Sequence, residues 1–177
     1  MEINIRSMMT ADLPELLNID HSYHTDHVWQ MELDTNESSV AVRFRDIKLP
    51  RSMKVDYPRD LDLFAEAWTE KAVVLVAEVE DQVAGYLALT SIGVSGLAQV
   101  TDFAVLRRMR RNGIGTGLVR SASAWMDQHS GGQLALEMQS KNFPAIRLAN
   151  KLGFEFCGYN DRYYRNQDIA LFFAKRR

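Results

Sequence analysis

The middle of the chain alternates between apolar runs and short polar connections in a pattern typical of a β-sheet. Residues 73–79 and 83–89 are rich in valine, leucine and alanine, and the polar residues 80–82 join them. Such runs, separated by so short a connection, favour a tight antiparallel hairpin in the core. A further strand is predicted at residues 98–105, ahead of a segment with helical spacing.

Three later runs extend the predicted sheet. Residues 134–138 form a short apolar strand, and residues 154–159 and 169–174 are predicted as a closing pair of strands. Near the N-terminus, residues 3–5 alternate as a short strand. Residues 27–49 alternate on both sides of Asp34-Thr35-Asn36-Glu37-Ser38, which predicts a long β-hairpin.

Helical spacing of apolar residues predicts four helices. Thr10 is positioned to cap the first, and the second runs from residue 61 to about residue 71. The third covers residues 114 to about 128, and we expect Gly131 and Gly132 to end it. Asn142 is a suitable cap for the fourth. Between the hairpin and the second helix, the prolines of residues 50–60 predict irregular chain.

Composition and charge limit the class of protein. With 177 residues, of which 46% are apolar, the chain can bury one sizeable core, so we predict a single domain over residues 1–177. The net charge of −2 gives no field that would favour nucleic acid or an anionic membrane. Residues 1–15 hold no continuous apolar stretch, which argues against a signal peptide or a membrane span. With Cys157 as the only cysteine, we expect a cytoplasmic protein.

The most specific chemical signal is the glycine turn of residues 110–116, between the strand at 98–105 and the third helix. Gly113 and Gly115 have no side chains, so backbone N–H groups can approach an anion closely there. The start of the following helix adds a partial positive charge, and arginines crowd the preceding residues. The turn therefore predicts a site for a pyrophosphate.

Three other interpretations compete for these glycines. An ordinary solvated loop is the simplest, although the arginines and the apolar strand argue against it. A Walker-type loop requires a lysine followed by serine or threonine after its last glycine, and Gly115-Thr116-Gly117-Leu118 has none. A dinucleotide fingerprint requires a third glycine where Leu118 stands, and a first glycine directly after the strand, whereas residues 106–112 intervene here.

The turn resembles a known family signature. Arg110-Arg111-Asn112-Gly113-Ile114-Gly115 matches in full the acyl-CoA motif Q/R-x-x-G-x-G/A of the GNAT superfamily of N-acetyltransferases. Residues 100–105 look like that family's cofactor strand, and residues 142–154 look like its N-x-x-A…L-G-F helix. Within the superfamily, residues 136–139 and the lack of another domain are most similar to streptothricin-type acetyltransferases.

The resemblance implies an α/β (α+β) fold with a mixed, mostly antiparallel central sheet of about seven strands flanked by helices and splayed at the cofactor strand. It implies acetyl-CoA as the acyl donor and no metal. The implied cofactor-binding residues are Phe103, Ala104, Val105, Arg110, Arg111, Asn112, Gly113, Ile114, Gly115, Thr116 and Asn142. Of these, Phe103 and Val105 would pair through their backbone with the pantetheine arm, and a backbone N–H near Val105 would stabilise the developing oxyanion.

The catalytic residues are harder to assign. An acceptor amine must lose a proton, so a base or a desolvating pocket is expected, and Glu137 is our candidate, as a base acting through water or as a binder of a cationic substrate. Its alternative is a structural carboxylate facing solvent. The tyrosine that usually protonates the thiolate is replaced by Ala149, so we assign that role to Tyr159, with Tyr163 and Tyr164 as alternatives.

Three functional classes follow. The first is an enzyme that acetylates a primary amine of a small molecule or peptide; the second is a non-catalytic acyl-CoA sensor, suggested by Ala149; the third is a nucleic-acid contact through residues 107–111. The overall charge argues against the third. In and after the hairpin, where the family builds its acceptor wall, aromatic and acidic residues suit a cationic amine, namely Trp29, Glu32, Asp34 and Tyr57. Exposed strand edges allow a homodimer.

Overall fold

Nine strands and four helices occur in the computed structural model, which describes residues 1–92, 96–129 and 132–175. In chain order the strands are β1 (Asn4–Ser7), β2 (Tyr23–Thr35), β3 (Val40–Val55), β4 (Val73–Val79), β5 (Gln82–Ile92), β6 (Leu97–Val105), β7 (Gln133–Gln139), β8 (Glu155–Asn160) and β9 (Ala170–Ala174). The helices are α1 (Leu13–Leu17), α2 (Leu61–Ala67), α3 (Ile114–His129) and α4 (Phe143–Lys151). No helix within these described ranges is long and apolar enough to cross a membrane.

The described strands form a seven-stranded sheet in the order β1-β4-β5-β6-β7-β9-β8 and a separate two-stranded ribbon of β2 and β3. Every neighbouring pair in the large sheet is antiparallel except β6 and β7, which run parallel. The predicted mixed, mostly antiparallel sheet of about seven strands is therefore confirmed, and helices flank it on both faces.

Each face of the sheet is covered by two helices and has its own apolar cluster. On one face, Leu118 of α3 and Ile146 of α4 are buried against Leu136 and Met138 of β7. On the other face, α1 and α2 pack on β4 and β5. We call these the α3–α4 face and the α1–α2 face. Because side chains alternate along a strand, Glu137 and its neighbour at 139 point to the α1–α2 face.

The parallel pairing of β6 with β7 stops halfway along β6. Its last paired residues are Val100 and Leu136, so residues 101–105 have no partner strand on that side. At the same point the pairing of β6 with β5 skips Thr101, which is a β-bulge. A bulge bends its strand and increases the local twist, and this accounts for the predicted splay at the cofactor strand.

The ribbon of β2 and β3 is longer than the predicted hairpin of residues 27–49. Its strands extend to Tyr23 and Val55, and its loop is closed by the Asn36 side chain, which accepts hydrogen bonds from the two residues that follow Glu37. Pro50 lies inside β3, so the prediction of irregular chain was wrong for residues 50–55. The register shifts at this position, and a proline there removes no ladder hydrogen bond.

The predicted helix ends agree with the structure only in part. Thr10 was wrong as the first N-cap, because a 3₁₀ turn begins at that residue and the Asp12 carboxylate accepts from the backbone N–H of Met9 at 2.7 Å. Asn142 does cap α4, accepting from Ala145 N at 3.2 Å. The predicted stop at Gly131 lies outside the described residues.

Candidate active site

The glycine turn leads into α3 with the backbone conformation that an anion site needs. Arg111 and Gly113 both have positive φ, at 70° and 88°, so the chain turns sharply before the helix. The first bond of the helix runs from Gly117 N to Gly113 O at 2.9 Å. The N–H groups of the preceding residues, 114–116, have no partner within the helix, as at any helix start. They are therefore available to a ligand.

Gly115 lies at a narrow part of the site, between the side chains of Phe103 and Leu148. A methyl group added there would lie 3.1 Å from the Phe103 ring and 3.4 Å from the Leu148 side chain. The absence of a side chain at this position keeps open the space between β6, α3 and α4. A slender chain, such as the arm of acyl-CoA, suits such a passage.

A cleft of about 550 Å³ runs from this turn to the gap between β6 and β7. The predicted site residues that line it are Phe103, Ala104, Val105, Arg110, Arg111, Gly113, Ile114, Gly115, Thr116, Glu137 and Asn142. Two predicted residues do not. Asn112 donates to Met109 O at 3.3 Å, and Tyr159 lies on β8 with its ring packed against Phe44. The position of Tyr159 therefore does not support a catalytic role, and Tyr164 lines the cleft instead.

Arg110 contributes to the turn differently from the prediction. Its guanidinium donates to three backbone carbonyls, those of Val105 at 2.8 Å, Ser22 at 2.9 Å and Asp20 at 2.8 Å. Burial lowers the pKa of this group. Its side chain therefore holds the turn against the start of β2, and only its backbone remains for the cofactor.

Sequence reasoning missed two cations in the cleft wall. Arg147 and Lys151 of α4 line it together with Arg111, at the end where the glycine turn lies. Their spacing of four residues puts them on one face of a helix, and this signal was present in the sequence. The cleft thus offers flexible positive side chains as well as backbone N–H groups to a polyphosphate.

Glu137 is enclosed rather than exposed to solvent. Its side chain is 1% exposed, and its carboxylate accepts from four side chains, those of Arg59, Gln99, Tyr163 at 3.2 Å and Tyr164 at 2.8 Å. Arg59 forms an ion pair with this carboxylate. Because Arg59 lies outside the motifs described above, nothing in the sequence indicated that it would bind Glu137. The Glu137 carboxylate is therefore held in place by an arginine and three further hydrogen-bond donors.

A second buried carboxylate lies across the gap. Asp102 of β6 accepts from Tyr57 at 2.7 Å and from Thr101 at 2.8 Å, and the Lys71 ammonium lies 3.2 Å away. Burial, and then Asp102, raise the pKa of the Tyr57 hydroxyl well above its usual value.

His21 also lines the cleft, but both of its ring nitrogens are occupied. Nδ1 lies 2.6 Å from Ile19 O and Nε2 lies 2.8 Å from the Tyr86 hydroxyl. Since a carbonyl can only accept, Nδ1 carries the hydrogen and Nε2 accepts from Tyr86. Burial lowers the pKa of His21, which keeps the ring neutral. In the described parts of the chain, no cluster of His, Cys, Asp and Glu is arranged to hold a metal.

The hairpin residues suggested for the acceptor wall divide into two groups. Tyr57 lines the cleft. Trp29 instead packs on Phe173 in the core, and Glu32 forms an ion pair with Arg45 on the ribbon.

Comparison with known proteins identifies the family. Residues 17–154 match the acetyltransferase (GNAT) family. The chain is 35% identical over 115 residues to an N-alpha-acetyltransferase of Sulfurisphaera tokodaii, covering 59% of this chain and 69% of that protein. It is 26% identical over 161 residues to the streptothricin acetyltransferase of Streptomyces lavendulae, covering 90% and 85%.

Solved structures show the same fold. Nourseothricin acetyltransferase superposes with a TM-score of 0.80 at 21% identity, over 99% of this chain and 98% of that one. A protein from Bacillus anthracis, solved in complex with acetyl coenzyme A, superposes with a TM-score of 0.79 at 21% identity, over 100% and 99%. The chain therefore belongs to the acetyltransferase (GNAT) family and is an N-acetyltransferase.

Proposed function

We propose that this protein transfers the acetyl group of acetyl-CoA directly to a primary amine of a small molecule or peptide. The observation that carries the proposal is the gap between β6 and β7, which joins the two faces of the sheet in one cleft. The glycine turn lies at its α3–α4 end, and polar side chains of the α1–α2 face line the other end. A thioester can therefore meet an amine within the gap.

The N–H groups of residues 113–116, with Arg111, Arg147 and Lys151, would hold the pyrophosphate. The pantetheine arm would lie along the free edge of β6. In a strand, the N–H and C=O of one residue point to the same edge. Leu106 N donates to Ala84 O of β5 at 2.8 Å, so the neighbouring Val105 points its N–H and C=O to the other edge of β6. The Val105 N–H therefore faces the cleft, where it can stabilise charge on the thioester oxygen.

The chemistry needs few protein groups. The amine nitrogen forms a bond to the acetyl carbon, the carbon–sulfur bond breaks, and the amine proton passes to solvent. A thiolate with a pKa near 8.5, by analogy with cysteine, leaves readily near neutral pH, so the alanine at 149 does not prevent transfer. Presenting a lysine-like amine in its neutral form at pH ~7.4 costs about 4 kcal/mol, and we expect bulk water to remove this proton before binding.

The first test measures release of free CoA thiol from acetyl-CoA with a panel of small primary amines and short peptides. We expect turnover with at least one amine, and acetyl-CoA should raise the melting temperature. Gly113→Glu should abolish that thermal shift, because it places a carboxylate where the pyrophosphate binds.

Gly153→Glu is the matched control. Gly153 also has a positive φ, 78° against 88° for Gly113, and neither glycine has a neighbour that an added Cβ would meet. Gly153 does not line the cleft, so its variant should keep the acetyl-CoA shift despite the same strain and the same new charge. Acetyl-CoA binding without turnover of any amine or peptide would count against the proposed reaction.

A further inference from the structure

Three tyrosine hydroxyls line the acceptor end of the cleft, and each gives its hydrogen to a buried side chain. Tyr23 donates to Gln139 at 2.9 Å. Tyr57 donates to Asp102 at 2.7 Å. Tyr164 donates to Glu137 at 2.8 Å. Burial raises the pKa of all three hydroxyls, so each keeps its single hydrogen at neutral pH.

A hydroxyl with its hydrogen committed has only lone pairs left to offer. The three tyrosines therefore present hydrogen-bond acceptors to the cleft and no donors. Their partners Asp102, Glu137 and Gln139 lie just beyond the last paired residues of β6 and β7. The hydroxyls are thus tied to both strands at the gap where the thioester must lie.

The carboxylates behind these tyrosines are already neutralised. Lys71 pairs with Asp102, and Arg59 pairs with Glu137. The wall therefore distinguishes ligands by the number and direction of their N–H groups more than by their charge. His21, the remaining titratable group of this wall, has neither nitrogen free.

We infer that Tyr23, Tyr57 and Tyr164 form an acceptor-only wall that selects primary amines, whose nitrogen alone carries enough hydrogens to satisfy several hydroxyls at once. This inference rests on the proposed function and names the specificity residues of the same site. The wall binds and orients the nitrogen, with its reactive lone pair turned toward the gap. A neutral primary amine can donate to two of these hydroxyls at once, whereas a secondary amine can donate to one and a tertiary amine to none.

Binding to the CoA-loaded protein tests this, because without an acetyl group no transfer can follow. The probes are pentylamine and pentyltrimethylammonium, which share the pentyl chain, but only pentylamine carries N–H groups and can lose a proton before it binds. Calorimetry should show saturable binding of pentylamine and binding at least about tenfold weaker for the trimethylated probe. Equal or tighter binding of the trimethylated probe would indicate a cation–π site and overturn the inference, as would no binding of pentylamine.

Single tyrosine variants locate the effect. Tyr57→Phe and Tyr164→Phe should each weaken pentylamine binding about tenfold and leave CoA affinity unchanged. Tyr163→Phe is the matched control, since its hydroxyl binds the same Glu137 carboxylate but does not line the cleft. It should bind pentylamine like the unchanged protein.

The outcomes separate this inference from the proposed function. If amines are turned over but Tyr57→Phe and Tyr164→Phe bind pentylamine like the unchanged protein, the inference about the tyrosine wall is overturned and the proposed reaction stands. If these variants weaken pentylamine binding but no amine in the panel is turned over, the inference about the tyrosine wall stands and the proposed reaction is overturned.

Discussion

Arg59 and Glu137 form a buried ion pair between the loop after β3 and the middle of β7. Removing one partner of such a pair leaves the other charge uncompensated and costs about 3–5 kcal/mol. We therefore expect Glu137→Gln to lower the free energy of unfolding by about 3 kcal/mol, as measured by urea denaturation. Adding Arg59→Gln should recover part of that loss, because the double variant buries no charge at this place.

The same variant tests whether Glu137 is a base. In a Glu137→Gln enzyme, we expect kcat/KM still to rise with pH, because we propose that bulk water removes the amine proton and the free amine becomes more abundant as pH rises. Loss of that rise would restore Glu137 to the catalytic role that the sequence suggested.

Residues with local requirements were predictable from the sequence, and residues with distant partners were not. Gly113 is recognisable because its φ of 88° and its place before a helix depend on a few neighbouring residues. Arg110 is held by carbonyls at positions 20 and 22, and Glu137 by an arginine at 59. The roles of those two residues depend on contacts that only the folded chain makes.

At the scale of the element, the glycines of α3 differ in what they face. Gly115 faces Phe103 and Leu148 in the cleft, whereas Gly117 faces Ile5 of β1, where an added methyl group would lie 3.0 Å from its tip. Gly115→Ala should weaken acetyl-CoA binding about tenfold, since overpacking costs about 1–3 kcal/mol and pushes the Phe103 ring into the passage.

Gly117→Ala serves as its control, because it adds the same methyl group to the same helix outside the cleft. Calorimetric titration should show unchanged acetyl-CoA affinity in this variant. If Gly115→Ala and Gly117→Ala lost acetyl-CoA affinity alike, the loss would come from a general change in α3 and not from a narrower passage.

Periodicity predicted most strands and helices, but it concealed the feature that opens the site. Alternation is clear along residues 73–89, and the structure has the expected hairpin there. In β6 the bulge at Thr101 reverses which face each side chain occupies, within a run where both faces are buried. Two of its polar residues, Gln99 and Asp102, are themselves buried, so polarity along this strand does not reveal which face is which.

At the scale of the molecule, the ribbon of β2 and β3 supplies part of the acceptor end. Tyr23 begins β2 and Tyr57 follows β3, so the base of the ribbon lies beside the gap. The ribbon is joined to the body by Trp29 N, which donates to Ser140 O at 2.9 Å, and by His27, which stacks on Phe143. The order of the sheet strands is a long-range property that the sequence did not predict. The single-domain expectation for residues 1–177 stays a prediction.

A cleft lined from both faces of one sheet also constrains the order of events. Donor and acceptor need not share an entrance, so both can be bound before anything reacts. Cys157, the only cysteine, is on β8 outside the cleft lining, and burial raises the pKa of its thiol, so it is poorly placed to carry the acetyl group. Initial-rate plots against the two substrates should intersect. Parallel lines would mean that the acetyl group stops on the protein on its way to the amine.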